Sequence, residues 1–150
     1  MSKPHADIIV IGGGAAGFFG AINAAALNPN LRILILEKST KLLSKVKVSG
    51  GGRCNVTHHC FEATPLSKHY PRWQRALKSL FQKFQAKDTV EWFAKHGVKL
   101  KAEEDGRMFP VTNNSQTIID CFLREAERLN IEVKLSHEVT SIKKIEKDFH

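Results

Sequence analysis

The N-terminal part of the chain places short apolar runs on either side of a glycine turn, in the order typical of a βαβ unit. Residues 8–11 form an unbroken apolar run, which predicts a parallel strand buried on both faces. A glycine triplet at 12–14 ends this strand, and the small residues of 15–27 predict a helix that Asn28-Pro29-Asn30 terminates. A second β-rich run, 31–36, follows. This order predicts two parallel strands joined by a helical crossover.

The middle of the chain is less regular. Residues 41–64 lack a clear hydrophobic period and predict an irregular segment around the glycines of 50–52. Beyond Pro71, apolar residues at steps of three and four predict a helix with a core-facing side, formed by Trp73, Leu77, Leu80, Phe81 and Phe84. The sequence 88–91 matches an N-cap and capping box for a second short helix, which Gly97 ends.

The last third of the chain predicts one helix and two strands. The helix begins near Ser115, ends at the left-handed terminator Asn130 and carries one apolar face, formed by Ile119, Phe122, Ala126 and Leu129. Alternating apolar residues predict a strand over 131–135, and a further strand is expected over 139–145. Strands that alternate with helices along the whole chain indicate an α/β fold.

Composition excludes several classes of protein. A chain of 150 residues has room for one compact domain, and 42% hydrophobic with 25% charged residues argues against disorder. No apolar stretch approaches the ~20 residues of a membrane span, and the N-terminus lacks the layout of a signal peptide. Three cysteines without paired zinc-ligand spacing indicate reduced thiols, so we expect a cytoplasmic protein without a membrane partner.

The positive charge is concentrated in one segment. The net charge is +8, and residues 65–101 contain nine Lys/Arg against two acidic residues. A solvated helix face is the simpler interpretation, and a basic surface for an acidic partner is the alternative. Because the aromatic residues of this segment have helical spacing, they are read as core rather than as stacking platforms, which counts against a nucleic-acid partner.

The first glycine cluster has the pattern G-x-G-x-x-G, with Gly12, Gly14 and Gly17 around Ala15 and Ala16. In such a turn the first glycine bends the chain, the second lets a pyrophosphate approach the backbone, and the third allows the helix to pack against the sheet. The helix start then offers free N–H groups and partial positive charge to phosphates.

An acidic residue follows at the spacing that dinucleotide-binding units use. Glu37 ends the second strand, twenty residues after Gly17, where a carboxylate can accept the hydroxyls of the adenosine ribose; Lys38 beside it is grouped with the site. Strand, glycine turn, helix and acid together predict a dinucleotide site, although they do not separate FAD from NAD.

A second glycine cluster favours FAD. In residues 45–57 three glycines precede a cation, a thiol and an amide, and such a loop presents backbone donors at close range. A flavin must be held well beyond its pyrophosphate, whereas an NAD site does not require a second loop of this kind. The alternative is a flexible surface loop.

These segments resemble the BaiN/YhiN-like bacterial FAD-dependent oxidoreductases, also described as NAD(P)/FAD-dependent or aminoacetone-oxidase-like flavoproteins. The resemblance rests on the segment from Lys45 to Thr57, on Tyr70-Pro71-Arg72 and on the run 105–112. It therefore spans almost the whole chain. The sequence departs from the family at 58–60, where His-His-Cys replaces small polar residues.

The resemblance implies a set of cofactor contacts. The N-terminal glycines and Glu37 would hold the ADP half of FAD, and the backbone of Val139 would meet the adenine. The region along the ribitol and isoalloxazine would comprise Lys45, Ser49, Gly50, Gly51, Gly52, Arg53, Cys54 and Asn55. Because family members are much longer, the resemblance also implies that this chain lacks a C-terminal part of the cofactor site.

The expected fold is α/β, a Rossmann-like FAD-binding three-layer domain of the glutathione-reductase type, C-terminally incomplete. Residues 1–150 would form the N-terminal part of one FAD-binding domain, with a βαβ unit and glycine loop (1–64), a basic helical segment (65–115), and a helix with strands (116–150).

The expected function is flavin-dependent oxidoreduction, with NAD(P)H as the candidate electron donor and a small organic molecule as substrate. No residue is identified as a catalytic acid or base, and Arg53 or Lys45 could place positive charge near the flavin. The alternatives are a plain NAD-dependent dehydrogenase domain and an inactive truncated fragment with a basic partner-binding surface.

The cysteines invite two further interpretations that the spacing disfavours. Five residues separate Cys54 from Cys60, whereas four separate the redox pair of flavin disulfide reductases, so we expect no catalytic dithiol. A zinc site formed with His58 and His59 would lack paired ligand motifs on separate elements, so no metal is expected.

Overall fold

The computed structural model describes residues 6–145 and 148–149. In chain order the helices and strands are β1 (Ile8–Ile11), α1 (Ala15–Leu27), β2 (Ile33–Leu36), α2 (Ser44–Gly52), β3 (Thr57–His58), α3 (Ala63–Lys68), α4 (Gln74–Phe81), α5 (Ala86–Lys95), β4 (Leu100–Ala102), β5 (Arg107–Pro110), α6 (Gln116–Arg128), β6 (Glu132–Lys134), β7 (Lys144–Ile145) and β8 (Asp148–Phe149). The chain divides into two compact units. Unit 1 holds the described residues up to Lys45 and from Phe122 onward, and unit 2 is Val46–Cys121.

Unit 1 contains a parallel sheet in the order β1-β2-β6. Ile8 pairs with Ile33, and Leu34 pairs with Glu132. Helix α1 connects β1 to β2 and buries Phe18, Ala21, Ile22 and Ala25. The predicted strand–helix–strand unit is therefore confirmed, and α1 has the bounds that the sequence predicts. Glycine and alanine dominate this helix because its buried face packs closely against the strands.

Strand β1 differs from the expectation that both its faces are buried. Its burial alternates, and the side chains of Ile9 and Ile11 are 48% and 56% exposed. Successive side chains of a strand point to opposite faces of the sheet, and in the described residues only one face of β1 is covered. An unbroken apolar run cannot by itself distinguish one covered face from two.

The predicted strand over 139–145 is wrong for most of its length. Only Lys144–Ile145 is a strand, paired antiparallel with Asp148–Phe149, and residues 137–143 have no regular structure. Ser136 adopts a left-handed backbone (φ 56°), and the N–H groups of Ser136 and His137 donate to the carbonyls of Ser39 and Glu37. The chain after β6 therefore follows the segment beyond β2 instead of forming a long strand.

Unit 2 contains a small antiparallel sheet in the order β3-β5-β4 together with α3, α4 and α5. Met108 pairs with Thr57 on one side and with Ala102 on the other. The core of this unit includes Leu66, Phe93, Val98, Met108, Phe109, Ile118 and Cys121. The irregular segment predicted for 41–64 thus contains a helical turn, a short strand and the start of α3.

Two helices of unit 2 differ from their predictions. Helix α5 begins at Ala86 with Gln85 as N-cap, and Asp88 is the third helical residue, whose carboxylate accepts the Gln85 N–H at 2.8 Å. Helix α4 has no buried residue, and the Trp73 side chain is 78% exposed. The helical spacing of the aromatics was therefore wrongly read as core. No helix among the described residues is both long and apolar enough to cross a bilayer.

Candidate functional site

The turn between β1 and α1 depends on glycine at two of the predicted positions. Gly12 has φ +106°, a left-handed conformation that glycine adopts without strain, and its N–H donates to the Leu36 carbonyl at 2.8 Å. A side chain at Gly17 would overlap the carbonyl oxygen of Gly12 and approach Val10 Cγ1. The turn and the close approach of helix and strand thus follow from these two glycines.

The middle glycine, Gly13, was not among the predicted site residues. It is buried, and an added Cβ would lie 2.6 Å from Leu42 Cδ2 and 3.2 Å from Glu37 Cβ. The Gly13 N–H donates to Glu37 Oε2 at 2.8 Å. The pattern G-x-G-x-x-G allows any residue at this position. The only signal in the sequence was therefore that residue 13 is itself a glycine.

The surface at the start of α1 is open. An added Cβ at Gly14 would meet nothing within 4 Å, and Gly14, Ala15 and Ala16 are exposed. The first helical hydrogen bond runs from the Phe18 N–H to the Gly14 carbonyl at 3.0 Å. The N–H groups before Phe18 therefore have no acceptor within the helix and are available to an anion.

Glu37 is held in a fixed position at the end of β2. Its Oε2 accepts the Gly13 N–H and its Oε1 accepts the Ser39 N–H, both at 2.8 Å. These backbone donors, with Ser39 as the largest contributor and Gly13 next, lower the pKa of Glu37 from its ordinary value of 4.5. The side chain is therefore an oriented anion attached to the glycine turn.

The other predicted residues of unit 1 lie outside this hydrogen-bonded cluster. Lys38 and Lys45 are exposed, and Val139 is half-buried. The Val139 backbone has no hydrogen-bond partner within the described part of the chain, whereas the nearby His137 N–H donates to the Glu37 carbonyl at 2.9 Å. The segment that carries Val139 is thus anchored beside Glu37.

In unit 2 the second glycine cluster forms a compact left-handed loop. The helical turn of α2 ends at Ser49, whose backbone is extended, and Gly50, Gly51, Gly52 and Cys54 all have positive φ. The Cys54 N–H donates to the Ser49 carbonyl at 3.0 Å. Three successive glycines allow this left-handed course without strain.

Three contacts hold this loop to the rest of unit 2. The Ser115 N–H donates to the Gly52 carbonyl at 2.8 Å, and the Ser115 hydroxyl donates to the Lys47 carbonyl at 2.9 Å. Gly50 lies against the ring of Phe109 so closely that an added Cβ would be 2.8 Å from Phe109 Cε1. Gly50 is therefore required for packing as well as for its conformation.

The Arg53 side chain points into unit 2 rather than standing free in solvent. Its guanidinium forms an ion pair with Glu103 and lies over the Phe109 ring, 4.0 Å from the ring centroid. Arg107 lies over the same ring at 5.4 Å. Glu103 and Phe109 lie some fifty residues beyond the glycine loop, and sequence spacing gave no indication of these contacts.

The three cysteines differ in burial: Cys54 and Cys121 are buried, and Cys60 is half-buried. Cys54 is buried, and burial raises the pKa of its thiol, with a smaller opposing effect from a hydrogen bond with Ser49. None of Cys54, Cys60 and Cys121 forms a disulfide in the described part of the chain. Within residues 6–145 and 148–149, no group of three or more His, Cys, Asp or Glu side chains is placed to hold a metal.

Comparison with known proteins shows the family of the chain. The profile of the HI0933-like protein Rossmann domain matches residues 6–150. The ribosomal RNA dihydrouridine synthase of Escherichia coli is 33% identical over 95% of this chain and 34% of its own length. The 3-dehydro-bile acid delta(4,6)-reductase of Clostridium scindens is 27% identical over 93% of this chain and 33% of its own. The chain thus spans about a third of the length of these curated relatives.

Solved structures show the same fold at low sequence identity. The 3-ketosteroid-delta4-(5alpha)-dehydrogenase of Rhodococcus jostii matches with a TM-score of 0.66 and 15% identity, over 91% of this chain and 39% of that protein. The quinol fumarate reductase subunit of E. coli matches with a TM-score of 0.63 and 16% identity, over 95% of this chain and 28% of that protein. The predicted fold class, that of a Rossmann-type FAD-binding domain, is confirmed, and the chain belongs to the HI0933-like family.

Proposed function

We propose that this chain binds FAD and contributes to a flavin-dependent oxidoreductase. The observation that carries the proposal is the state of Glu37. Its carboxylate is fixed by the N–H groups of Gly13 and Ser39, is kept ionised, and adjoins a helix start where Gly14 leaves open space. An oriented anion for the ribose beside free N–H groups for the pyrophosphate fits the ADP half of FAD.

The remaining predicted residues are proposed to contact other parts of FAD. Lys38 lies beside the ribose acid, and the Val139 backbone would meet the adenine. The backbone of the loop from Ser49 to Asn55 would line the ribitol and isoalloxazine, with Lys45 as an exposed cation. Bound FAD supplies hydride acceptance and donation, and the residues of the chain supply its binding and orientation.

The proposed reaction is a reduction, with NAD(P)H as electron donor and a small organic molecule as acceptor. The matched relatives include a dihydrouridine synthase and a delta(4,6)-reductase, and both names support reduction as the reaction class. None of the described residues is placed by the structure as an acid or base for a substrate, so the proposal assigns none.

A flavin titration tests the proposal. We expect the protein to perturb the visible absorbance of added FAD stoichiometrically and NAD(P)H to bleach the bound flavin under anaerobic conditions. Gly14→Val, which fills the open space at the helix start, should abolish binding. A protein that binds NAD(H) and leaves the FAD spectrum unchanged would be a plain NAD-dependent dehydrogenase domain, and the proposal would be wrong.

A second candidate function is favoured by segment 63–87. It contains six Lys/Arg and no acidic residue, and Trp73 is 78% exposed with a left-handed backbone (φ 68°). Arg72, Arg75 and Lys78 have no ion pair within the described residues. Exposed aromatic and basic side chains together suit RNA, and the matched relatives include ribosomal RNA dihydrouridine synthases.

Trp73 and Phe84 are exposed rather than core, so the helical spacing of these aromatics does not count against RNA as a partner. A titration with single-stranded RNA at increasing salt tests it. We expect affinity to fall with salt and Lys78→Glu to weaken binding, with Lys41→Glu, an exposed lysine outside the segment, as the matched control. Absence of RNA binding, or equal weakening by Lys78→Glu and Lys41→Glu, would contradict this second function.

A further inference from the structure

The ion pair between Arg53 and Glu103 joins the second glycine cluster to an acid that lies outside both glycine motifs. Arg53 is the cation that follows the three glycines, and its side chain is 34% exposed; that of Glu103 is 30% exposed. Both residues lie in unit 2, so their contact is part of one compact body. Glu103 follows strand β4, and nothing in the glycine-loop pattern requires an acid there.

Glu103 is itself fixed by the β4–β5 hairpin. Its N–H donates to the Arg107 carbonyl at 2.8 Å, and its carbonyl accepts the Gly106 N–H at 2.9 Å. Its carboxylate is therefore carried by a closed turn rather than by a mobile loop. An acid held in this way can act as an anchor for another side chain.

The second arginine near Glu103 has a carboxylate of its own. Arg107 Nε lies 2.6 Å from Asp105 Oδ2, whereas Arg107 Nη2 is 3.7 Å from Glu103. The Arg107 N–H and side chain lower the pKa of Asp105, the backbone N–H being the larger cause. The closest partner of Glu103 is therefore Arg53.

Phe109 completes the arrangement. The ring is fully buried and is contacted by the Arg53 guanidinium and by Gly50, the first left-handed residue of the loop. Arg53 and Gly50 are thus held at one ring, and the loop between them closes through the Arg53 N–H to the Gly50 carbonyl at 3.4 Å. The loop also holds Cys54, a non-glycine residue with positive φ that requires support from its surroundings.

We propose that Glu103 is a positioning residue that holds Arg53 on Phe109 and thereby keeps the glycine loop in its flavin-binding conformation. This inference rests on the proposed function for the role of the loop. It also assigns Arg53 a different task from the one expected from the sequence. With its charge balanced by Glu103, Arg53 anchors the loop and does not supply the positive charge for a reduced flavin.

Hydrogen exchange of the FAD-free protein gives the first test, because it does not depend on the cofactor. Glu103→Gln should accelerate exchange of the hydrogen-bonded amides of Arg53 and Cys54 by about tenfold. Glu104→Gln is the matched control: it removes an exposed neighbouring acid with no ion pair in the described part of the chain, and it should change nothing. Unchanged exchange in folded Glu103→Gln protein would overturn the inference.

FAD binding gives the second test. Glu103→Gln and Arg53→Gln should each weaken FAD binding by about tenfold, and the double variant should be no weaker than Arg53→Gln alone, because Glu103 acts through Arg53. Additive losses would show an independent structural role for Glu103 and would contradict the proposal. Wild-type protein that fails to bind FAD would contradict the proposed function while leaving the exchange result to decide whether Glu103 anchors the loop.

The flavin midpoint potential separates the two roles of Arg53. Glu103→Gln should leave the potential of bound FAD unchanged, because Arg53 is an anchor. If Arg53 instead supplied charge to the flavin, loss of its neutralising carboxylate would raise the potential by stabilising the reduced anion. A raised potential would therefore overturn the assignment.

Discussion

At the scale of single residues, Glu37 shows how the backbone can prepare a side chain for a ligand. A carboxylate offers about four acceptor positions, and the N–H groups of Gly13 and Ser39 fix its orientation without occupying all of them. The same donors that orient the group also keep it ionised. Orientation and charge at this position therefore have one cause.

Removal of this carboxylate should weaken FAD binding without unfolding the protein. For Glu37→Ala we expect a loss of roughly 1.5–3 kcal/mol of binding free energy, because hydrogen bonds to a charged group contribute about that much. The measurement is a fluorescence titration of FAD, with Glu62→Ala, an exposed acid outside both glycine clusters, as control. If the folded variant and the wild type bind FAD with equal affinity, Glu37 does not bind the ribose.

The lowered pKa of Glu37 also predicts a pH dependence of stability. Because the folded-state pKa lies below the ordinary value of 4.5, the ionised group stabilises the fold fully above about pH 4.5, and this contribution is lost as the pH falls through the folded pKa. Urea denaturation of wild type and Glu37→Gln across this range measures it. Their difference in unfolding free energy should be constant at neutral pH and shrink in acid; a difference that grows in acid would contradict the assignment.

At the scale of elements, adjacent glycines of one turn have different tasks. Gly13→Ala should destabilise the fold, because the new Cβ would lie 2.6 Å from Leu42 Cδ2 and close to Glu37. We expect a cost of about 1–3 kcal/mol, as for overpacking elsewhere. Gly14→Ala adds the same methyl group into open space and should leave the melting temperature nearly unchanged while weakening FAD binding.

Each variant is measured by thermal unfolding and by FAD titration. If Gly13→Ala proved neutral in stability, or if Gly14→Ala destabilised the protein as much as Gly13→Ala, the division between packing and ligand approach would be refuted.

Local sequence patterns predicted those helices, strands and turns whose formation depends on neighbouring residues. The apolar run of β1, the small residues of α1 and the left-handed Asn130 (φ 54°) are local signals, and the structure has each where expected. The failures involve contacts that no local pattern contains. The apolar stripe of α4 is largely exposed, and the segment beyond β6 follows residues 37–39 instead of forming a long strand.

The residues of the candidate site show the same difference between local signals and tertiary contacts. Gly12, Gly17 and Glu37 were predictable because turn geometry and ribose recognition require those residue types at that spacing. Gly13 was missed because the need for glycine there comes from packing against Leu42 and Glu37. Glu103 and Phe109 were missed because they reach Arg53 only through the folding of unit 2.

At the scale of the whole molecule, the chain spans about a third of its curated relatives and exposes much apolar surface. In unit 1 this surface includes one face of β1, which pairs only with β2 among the described residues. A strand with a free edge and exposed apolar side chains is a template for pairing with another chain.

The 150-residue chain on its own should therefore self-associate as its concentration rises, through β1. Ile11→Lys places a charge on a side chain that is 56% exposed, and it should reduce association because a charged edge resists strand pairing. Leu27→Lys is the matched control, since Leu27 is 87% exposed at the end of α1 and not on a strand. Sedimentation velocity over a range of concentrations measures the effect, with circular dichroism to verify the fold. Equal association of both variants would show that general apolar exposure, rather than the edge of β1, brings the chains together.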